Sequence, residues 1–426
     1  MSLLSSLNAG TSGMNSASAE LSVVGDNIAN SNTVGFKAGR AAFEDVLSAS
    51  VNGAEIGLGS RLSTVQKMFM QGALTTTGVS TDLALQGNGM FVLKGSQNGQ
   101  TGMFYSRAGQ FNVNKDGYMV NLQGLKVQGF PADQSGKITA TATDLLVGNA
   151  SATPRASANV TVKANLQADA QVPALAWDPA NPSNTSNFST SLTLYDSLGT
   201  AHQVQAFFRK TAAGAWDWHA LTDGSGVSGG IAGTASEIAS GTLTFDTDGK
   251  LTAATQVSAF NPAGASGPQA LAFNFGDPTG AGGTGLAGIT QFSAPSSTTF
   301  LGQDGFASGQ LASVQVDPTG TVTGIFSNGQ TRPLGQVAVA SFTAQDQLAR
   351  IGGNLFTDTL GAGSPVIGTP GQGGRATVTA GALEQSNVDL ADQFVRMITA
   401  QRAFEANSKT ITTTDQLLSE LIQSKR

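Results

Sequence analysis

The chain has 426 residues, 54 of them Gly and only 12% charged, a composition that suits several domains of short strands and tight turns with polar, uncharged surfaces. A net charge of −6 without any basic cluster excludes a nucleic-acid or anionic-membrane surface, and no run reaches the ~18 apolar residues of a membrane helix, so neither nucleic-acid binding nor membrane insertion is expected. Cysteine is absent, which removes disulfides, thiolate metal sites and cysteine nucleophiles together.

From Leu3, alternate steps of four and three reach Leu7, Gly10, Met14, Ala17, Leu21, Val24 and Ile28, all small or apolar. This spacing predicts a helix with a single adhesive stripe. Gly10, Gly13 and many Ser and Asn weaken it, so it is expected to order only when the stripe finds a mate. The first Lys or Arg is Lys37, so the basic n-region of a secretory signal is missing and export without a cleaved signal peptide is expected. Asn27, Asn30, Asn32, Thr33, Gly35 and Phe36 follow in a dense turn that ends the helix, with Gly35 suited to positive φ. Ala38 to Leu47 reads as a short amphipathic piece with Phe43, Val46 and Leu47 on one side.

From about Leu58 the apolar period becomes two, the signature of strands. Hairpin turns are written at Asp116-Gly117, Asp248-Gly249, Pro318-Thr319-Gly320 and Asn328-Gly329, all implying antiparallel pairing. Seven of the 13 prolines fall between Pro154 and Pro278, which marks residues 151–290 as an inserted β domain. Strands resume over 291–363, and a Gly- and Pro-rich connector leads to the last helix.

That helix contains no Pro, and no Gly after Gly381. The four-three step from Leu390 reaches Phe394, Met397, Gln401, Phe404, Ser408, Ile411, Asp415, Leu418 and Ile422, a coiled-coil seam about 50 Å long that needs a partner. The N-terminal stripe is the candidate. The simplest pairing is an intramolecular antiparallel one that merely closes a domain. The run of poor helix formers from Asn407 to Thr414 argues instead for ordering among many neighbours, in a polymer.

The expected fold is therefore multidomain α+β, mainly β, with N- and C-terminal helices paired as a coiled-coil-like domain and nested antiparallel β domains. Its parts are terminal helices (1–30 and 383–426), a connecting segment (31–75 and 364–382), a β-rich middle domain (76–150 and 291–363) and the insert (151–290).

Chemistry is hard to find. His202 and His219 lie in the insert without the spacing of a metal site, and both read more simply as strand residues. Asp246-x-Asp248-Gly249 opens like a Ca²⁺ loop but lacks the distal Glu, so a hairpin turn is the better reading. Gly280–Gly288 has no following Lys-Ser/Thr to make a phosphate cradle. Trp177, Trp216 and Trp218 suit core packing, or sugar platforms if exposed. No nucleophile, base and oxyanion site assemble, so no enzyme, cofactor or metal is expected.

The strings ANSNTVGFK (Ala29–Lys37), GNGMFVL (Gly87–Leu93), YSRAGQFNVNKDGY (Tyr105–Tyr118), VASFTAQDQL (Val339–Leu348) and EQSNVDLADQFVRMITAQRAFEANSKTITTTDQLL (Glu384–Leu418) resemble the bacterial flagellar rod and hook axial proteins. The insert with LTLYDSLGTAHQV and LTFDTDGKL is similar to the outer domain of the family's hook members. The resemblance implies a helical homopolymer outside the cell, a tube with helices lining its channel and β domains outward. It would act as a universal joint passing torque from rod to filament. Implied partners are rod, hook-cap and hook–filament junction proteins and the flagellar type III export apparatus. The stripes from Leu3 to Ile28 and from Leu390 to Ile422 would be the polymerisation interfaces, with Gln401, Ser408 and Asp415 facing the channel or a third helix. A distal rod protein, or a secreted β-rich adhesin that binds glycans, are the alternatives.

Overall fold

The computed structural model describes residues 3–47, 57–133 and 135–424. The change of apolar period is a change of secondary structure: Leu3–Ala29 and Leu390–Ser424 are long helices, and the described residues between them form strands and turns with a four-residue α-helix, Pro182–Thr185, and short 3-10 turns such as Gly224–Gly226. The chain forms two units, one of residues 1–150, 311–325 and 331–426, the other of 151–310 and 326–330.

In the first unit one sheet runs in the order Thr321–Phe326, Thr331–Val337, Lys126–Pro131, Met90–Gln97, Gln100–Ser106, Leu355–Thr357, Ala349–Gly352. Strands from late in the chain thus sit beside early ones, and the register is fixed by alternation: Met90, Val92, Tyr105 and Phe356 turn inward to a shared core. Gly117, Gly320 and Gly329 adopt φ of 85°, 78° and 77° at their turns, the left-handed backbone that the Asp-Gly, Thr-Gly and Asn-Gly pairs require.

The connecting segment carries strands, one where Ala38 to Leu47 reads as a short amphipathic piece and one where the period of two sets in at about Leu58. Gly39–Leu47 pairs with Gly57–Lys67 in a two-stranded antiparallel ribbon, with Phe43 opposite Leu62 and an ion pair between Glu44 and Arg61. The helical spacing of Phe43, Val46 and Leu47 is overridden by these cross-strand pairs. Leu74–Thr76 pairs with Ala382–Glu384 and Leu83–Gln86 with Thr377–Ala380, which builds 364–382 into the β body.

In the second unit Phe188–Tyr195, Ala201–Ala212, Ala215–Asp223 and Ala235–Phe245 form an antiparallel meander. A three-stranded sheet of Ala272–Asn274, Asn159–Asn165 and Ser297–Gln303 completes the core, where Val160, Leu194, Phe208, Trp216 and Trp218 meet Phe273 and Phe275. Two expectations are corrected here. Asn159–Thr161 pairs with Ala272–Asn274 in parallel, so pairing is not antiparallel throughout. Because Ser297–Gln303 closes on Asn159–Asn165, the insert extends to residue 310 rather than 290.

Asp304 fastens the start of this unit to its end. Its carboxylate accepts from the amides of Ala158 and Asn159 at 2.8 and 2.9 Å and from the Arg155 guanidinium at 3.1 Å. Burial alone would raise the Asp304 pKa, but these donors outweigh it and hold the group down to about 2, below the usual 3.8. A depressed carboxylate contributes stability that is complete above about pH 4 and is lost as the pH falls towards the folded value. Asp304→Asn is expected to flatten the loss of near-UV dichroism across that acid window. An acid limb identical to that of the unaltered chain would contradict this role.

Candidate assembly site at the paired termini

The terminal helices run antiparallel. The Asn27 side chain donates to Gln393 Oε1 at 2.9 Å at one end, while Gly13 and Gly10 lie against Asn407 and Ile411 further along. On the N-terminal helix the buried positions are Gly10, Ala17, Val24 and Asn27; on its partner they are Gln393, Ala400 and Thr414. A Cβ on Gly13 would fall 2.6 Å from the Asn407 amide, and one on Gly10 would fall 3.0 Å from Ile411 Cγ1. The glycines that weaken the isolated helix are therefore what admit its partner.

Gly13→Leu tests that trade. Replacing an interior Gly favours the lone helix by roughly 1 kcal/mol, but overpacking the contact costs about 1–3 kcal/mol. Hydrogen exchange across Leu3–Ala29 should accelerate; slower exchange would show that close approach is not what Gly13 provides.

Gly10, Ala17 and Val24 lie on the stripe read from the N-terminal sequence, but on the C-terminal helix the seam is displaced from the expected one. Gln393, Ala400, Asn407 and Thr414 each stand one residue before the expected Phe394, Gln401, Ser408 and Asp415, so the helix is rotated by about 100°. Small side chains such as Ala400 and Thr414 suit a Gly- and Ala-lined partner, and of the large ones Ile411 reaches Gly10 while Leu390, Phe394, Phe404 and Ile422 are turned away. Val24 is buried, Leu7, Met14, Leu21, Ile28, Met397, Ile411 and Leu418 are half-buried, and Leu390, Phe394, Phe404 and Ile422 are exposed. The side chain of Leu3 lies outside the described residues.

The turn after the N-terminal helix fastens the pair to the β body. Asn27 donates to Gly39 O at 2.8 Å and accepts from Gly39 N at 2.7 Å, so both faces of its amide are used inside the protein. Asn30 donates to Asp26 O at 2.8 Å and Thr33 to Asn30 Oδ1 at 3.2 Å, closing the turn, while Asn32 is exposed. Gly35 has φ of 68°, and a Cβ there would fall 2.5 Å from Ala108 N, so both conformation and space demand glycine. The Phe36 ring has Lys67 Nζ at 5.3 Å and the Arg350 guanidinium at 5.2 Å, and Arg350 also pairs with Asp26 at 2.9 Å.

Beneath the turn lies a buried charge cluster that periodicity does not reveal. Lys37 Nζ lies 2.6 Å from Glu384 Oε1 and donates to Met70 O at 2.7 Å; Arg107 Nη1 lies 3.1 Å from Glu384 Oε2. Gly72 N also donates to Glu384 Oε1, and Asn387, next along, donates to Met68 O and accepts from Ala38 N. Burial holds the Lys37 ammonium below its usual pKa, against the opposing pull of Glu384, and lowers Arg107 likewise. One signal was available: in a chain so poor in charge, Lys37, Arg107 and Glu384 each stand inside a family-like segment, Ala29–Lys37, Tyr105–Tyr118 and Glu384–Leu418.

The residues considered for chemistry take structural places. His202 is buried with Nε2 3.1 Å from Asp196, and Trp216 and Trp218 are buried in the core. Trp177 stacks on His219 at 4.0 Å, so the three tryptophans present no shared platform for a sugar.

Comparison with known proteins places each of these regions. The flagellar basal body protein FlaE D2 domain matches residues 165–306 and the flagellar hook protein FlgE/F/G D1 domain matches 84–171. The flagella basal body rod protein family matches 7–37, and the C-terminal family of the FlgEFG rod proteins matches 379–424. The flagellar hook protein FlgE of Escherichia coli (strain K12) is 34% identical over 96% of this chain and 98% of its own length. That of Borreliella burgdorferi is 35% identical over 99% and 100%, and that of Treponema pallidum 34% over the whole of both chains. Identity sustained from end to end is more than one shared domain grafted onto an unrelated protein would give: the chain belongs to the flagellar hook protein family.

Proposed function

We propose that this chain is the subunit of a tubular flagellar hook, a structural part and not an enzyme, which polymerises with copies of itself and passes torque from rod to filament while bending. The observation that carries this reading is the C-terminal helix. It is covered along one seam only, by small residues, and leaves Leu390, Phe394, Ile398 and Phe404 exposed. A helix pair that merely closed a domain would turn those side chains inward, whereas copies packed side by side would cover them. Desolvated helices resist twisting, and an outer unit poor in charge can remake its polar contacts through water as neighbours slide. The polymer would lie outside the cell, reached through the flagellar type III export apparatus, between rod proteins below and cap and junction proteins above. A distal rod protein is disfavoured, because the full-length relatives are hook proteins and the insert matches along with the ends.

The purified protein, concentrated in salt and viewed by electron microscopy, should form tubes. A protein that stays monomeric under conditions that polymerise the Escherichia coli hook protein would overturn the reading.

A further inference from the structure

Beside the helix seam, Gly13, Ser16 and Ala17 of the N-terminal helix, Ala400 and Ala403 of the C-terminal helix and Phe43 of the ribbon line an open groove of about 410 Å³. Glu20, Ser60, Arg396, Thr399 and Asn407 complete the lining, and the Gly, Ala and Ser side chains of the groove leave room where a neighbour's large side chains could enter. The same C-terminal helix carries Leu390, Phe394 and Ile398, spaced four apart and exposed at 44%, 49% and 57%. Side chains at this spacing form a ridge along a helix surface. Phe394 and Ala403 are about two and a half helical turns apart, so they lie on opposite sides of the helix.

We propose that the Leu390–Phe394–Ile398 ridge of one copy seats in the small-residue groove of the next. This deepens the hook reading and rests on it. Both patches border the intramolecular seam, so the contact continues an interface the chain already has. Charge follows the same sense. Glu20 sits in the groove with no ion pair or hydrogen bond among the described residues. Arg402, one turn beyond Ile398, is 78% exposed and pairs at 3.1 Å with the exposed Glu405 on its own helix, a surface pair that a neighbour's carboxylate can join. Ridge and groove differ and face opposite ways, so a joined pair still offers one free ridge and one free groove. Such a head-to-tail contact does not close, and it propagates as a helical filament.

Two variants separate the surfaces. Ala403→Trp fills the groove and keeps the ridge; Phe394→Ser with Ile398→Ser removes the ridge and keeps the groove. All three positions are exposed, so the thermal unfolding of the β units should be unchanged in both. Each variant alone should need a concentration about tenfold higher or more to form tubes, a loss near 1.4 kcal/mol per contact. Mixed one to one, they should form dimers by analytical ultracentrifugation and no tubes, since one intact ridge meets one intact groove and neither end can grow. Variants that assemble like the unaltered chain, or a mixture that stays monomeric or resumes tubes, overturn the contact alone. An unaltered chain that never polymerises overturns the hook reading, and this contact falls with it.

Discussion

Glu384→Gln is expected to lower the unfolding free energy of the first unit by about 3–5 kcal/mol, the usual loss when one partner of a buried ion pair is removed. The side chain keeps its shape, but Lys37 and Arg107, both buried, are left facing each other without a counterion. Lys37→Met should lose less, because Arg107 and Glu384 then remain as a balanced pair. Charge, rather than the number of hydrogen bonds removed, sets the order of the two variants. Equal losses in urea unfolding would contradict it.

The cluster also has a pH signature. Burial holds the Lys37 pKa below 10.5, so between the lowered folded value and 10.5 the unfolded chain binds a proton that the folded chain has released. Stability therefore rises with pH across that window, because the unfolded state is the one binding more protons. Lys37→Met should lack this rise. An alkaline limb that is the same in both proteins would place the lowered group elsewhere.

What could be read in advance divides by the range of the interaction. The hairpin turns were legible because the signal is local: Asp-Gly at 116–117 and Asn-Gly at 328–329 supply the positive φ within the pair itself. The terminal helices were legible as helices, and the N-terminal one in its seam at Gly10, Ala17 and Val24, but the C-terminal one was not legible in its rotation. Apolar periodicity ranks positions by size, and a partner carrying Gly10, Gly13 and Ala17 selects small ones. The pairing within the charge cluster was not legible, since Lys37 and Glu384 stand 347 positions apart and Arg107 and Glu384 277. The end of the insert was misplaced for a related reason. The Pro- and Gly-rich composition fades before the strand Ser297–Gln303, which belongs to the insert through its pairing with Asn159–Asn165.

Ending the chain after Asp389 is expected to abolish polymerisation while leaving the melting of both β units intact. The cut removes the whole helix Leu390–Ser424, including the exposed ridge, yet spares Glu384 and Asn387, which hold Lys37, Arg107 and the backbone of Met68 and Ala38. The N-terminal helix then loses the partner against which Gly10, Ala17 and Val24 are buried. Rich in Gly, Ser and Asn, it cannot hold its own backbone ordered, because nucleating a lone helix of this composition is unfavourable. Amides from Leu3 to Ala29 should lose their protection from exchange while those of Met90–Gln97 keep theirs. A shortened chain that still formed tubes would show that assembly lies in the β units. One that unfolded throughout would show that the helix is structural for the body as well, and that the cluster around Glu384 does not suffice to hold it.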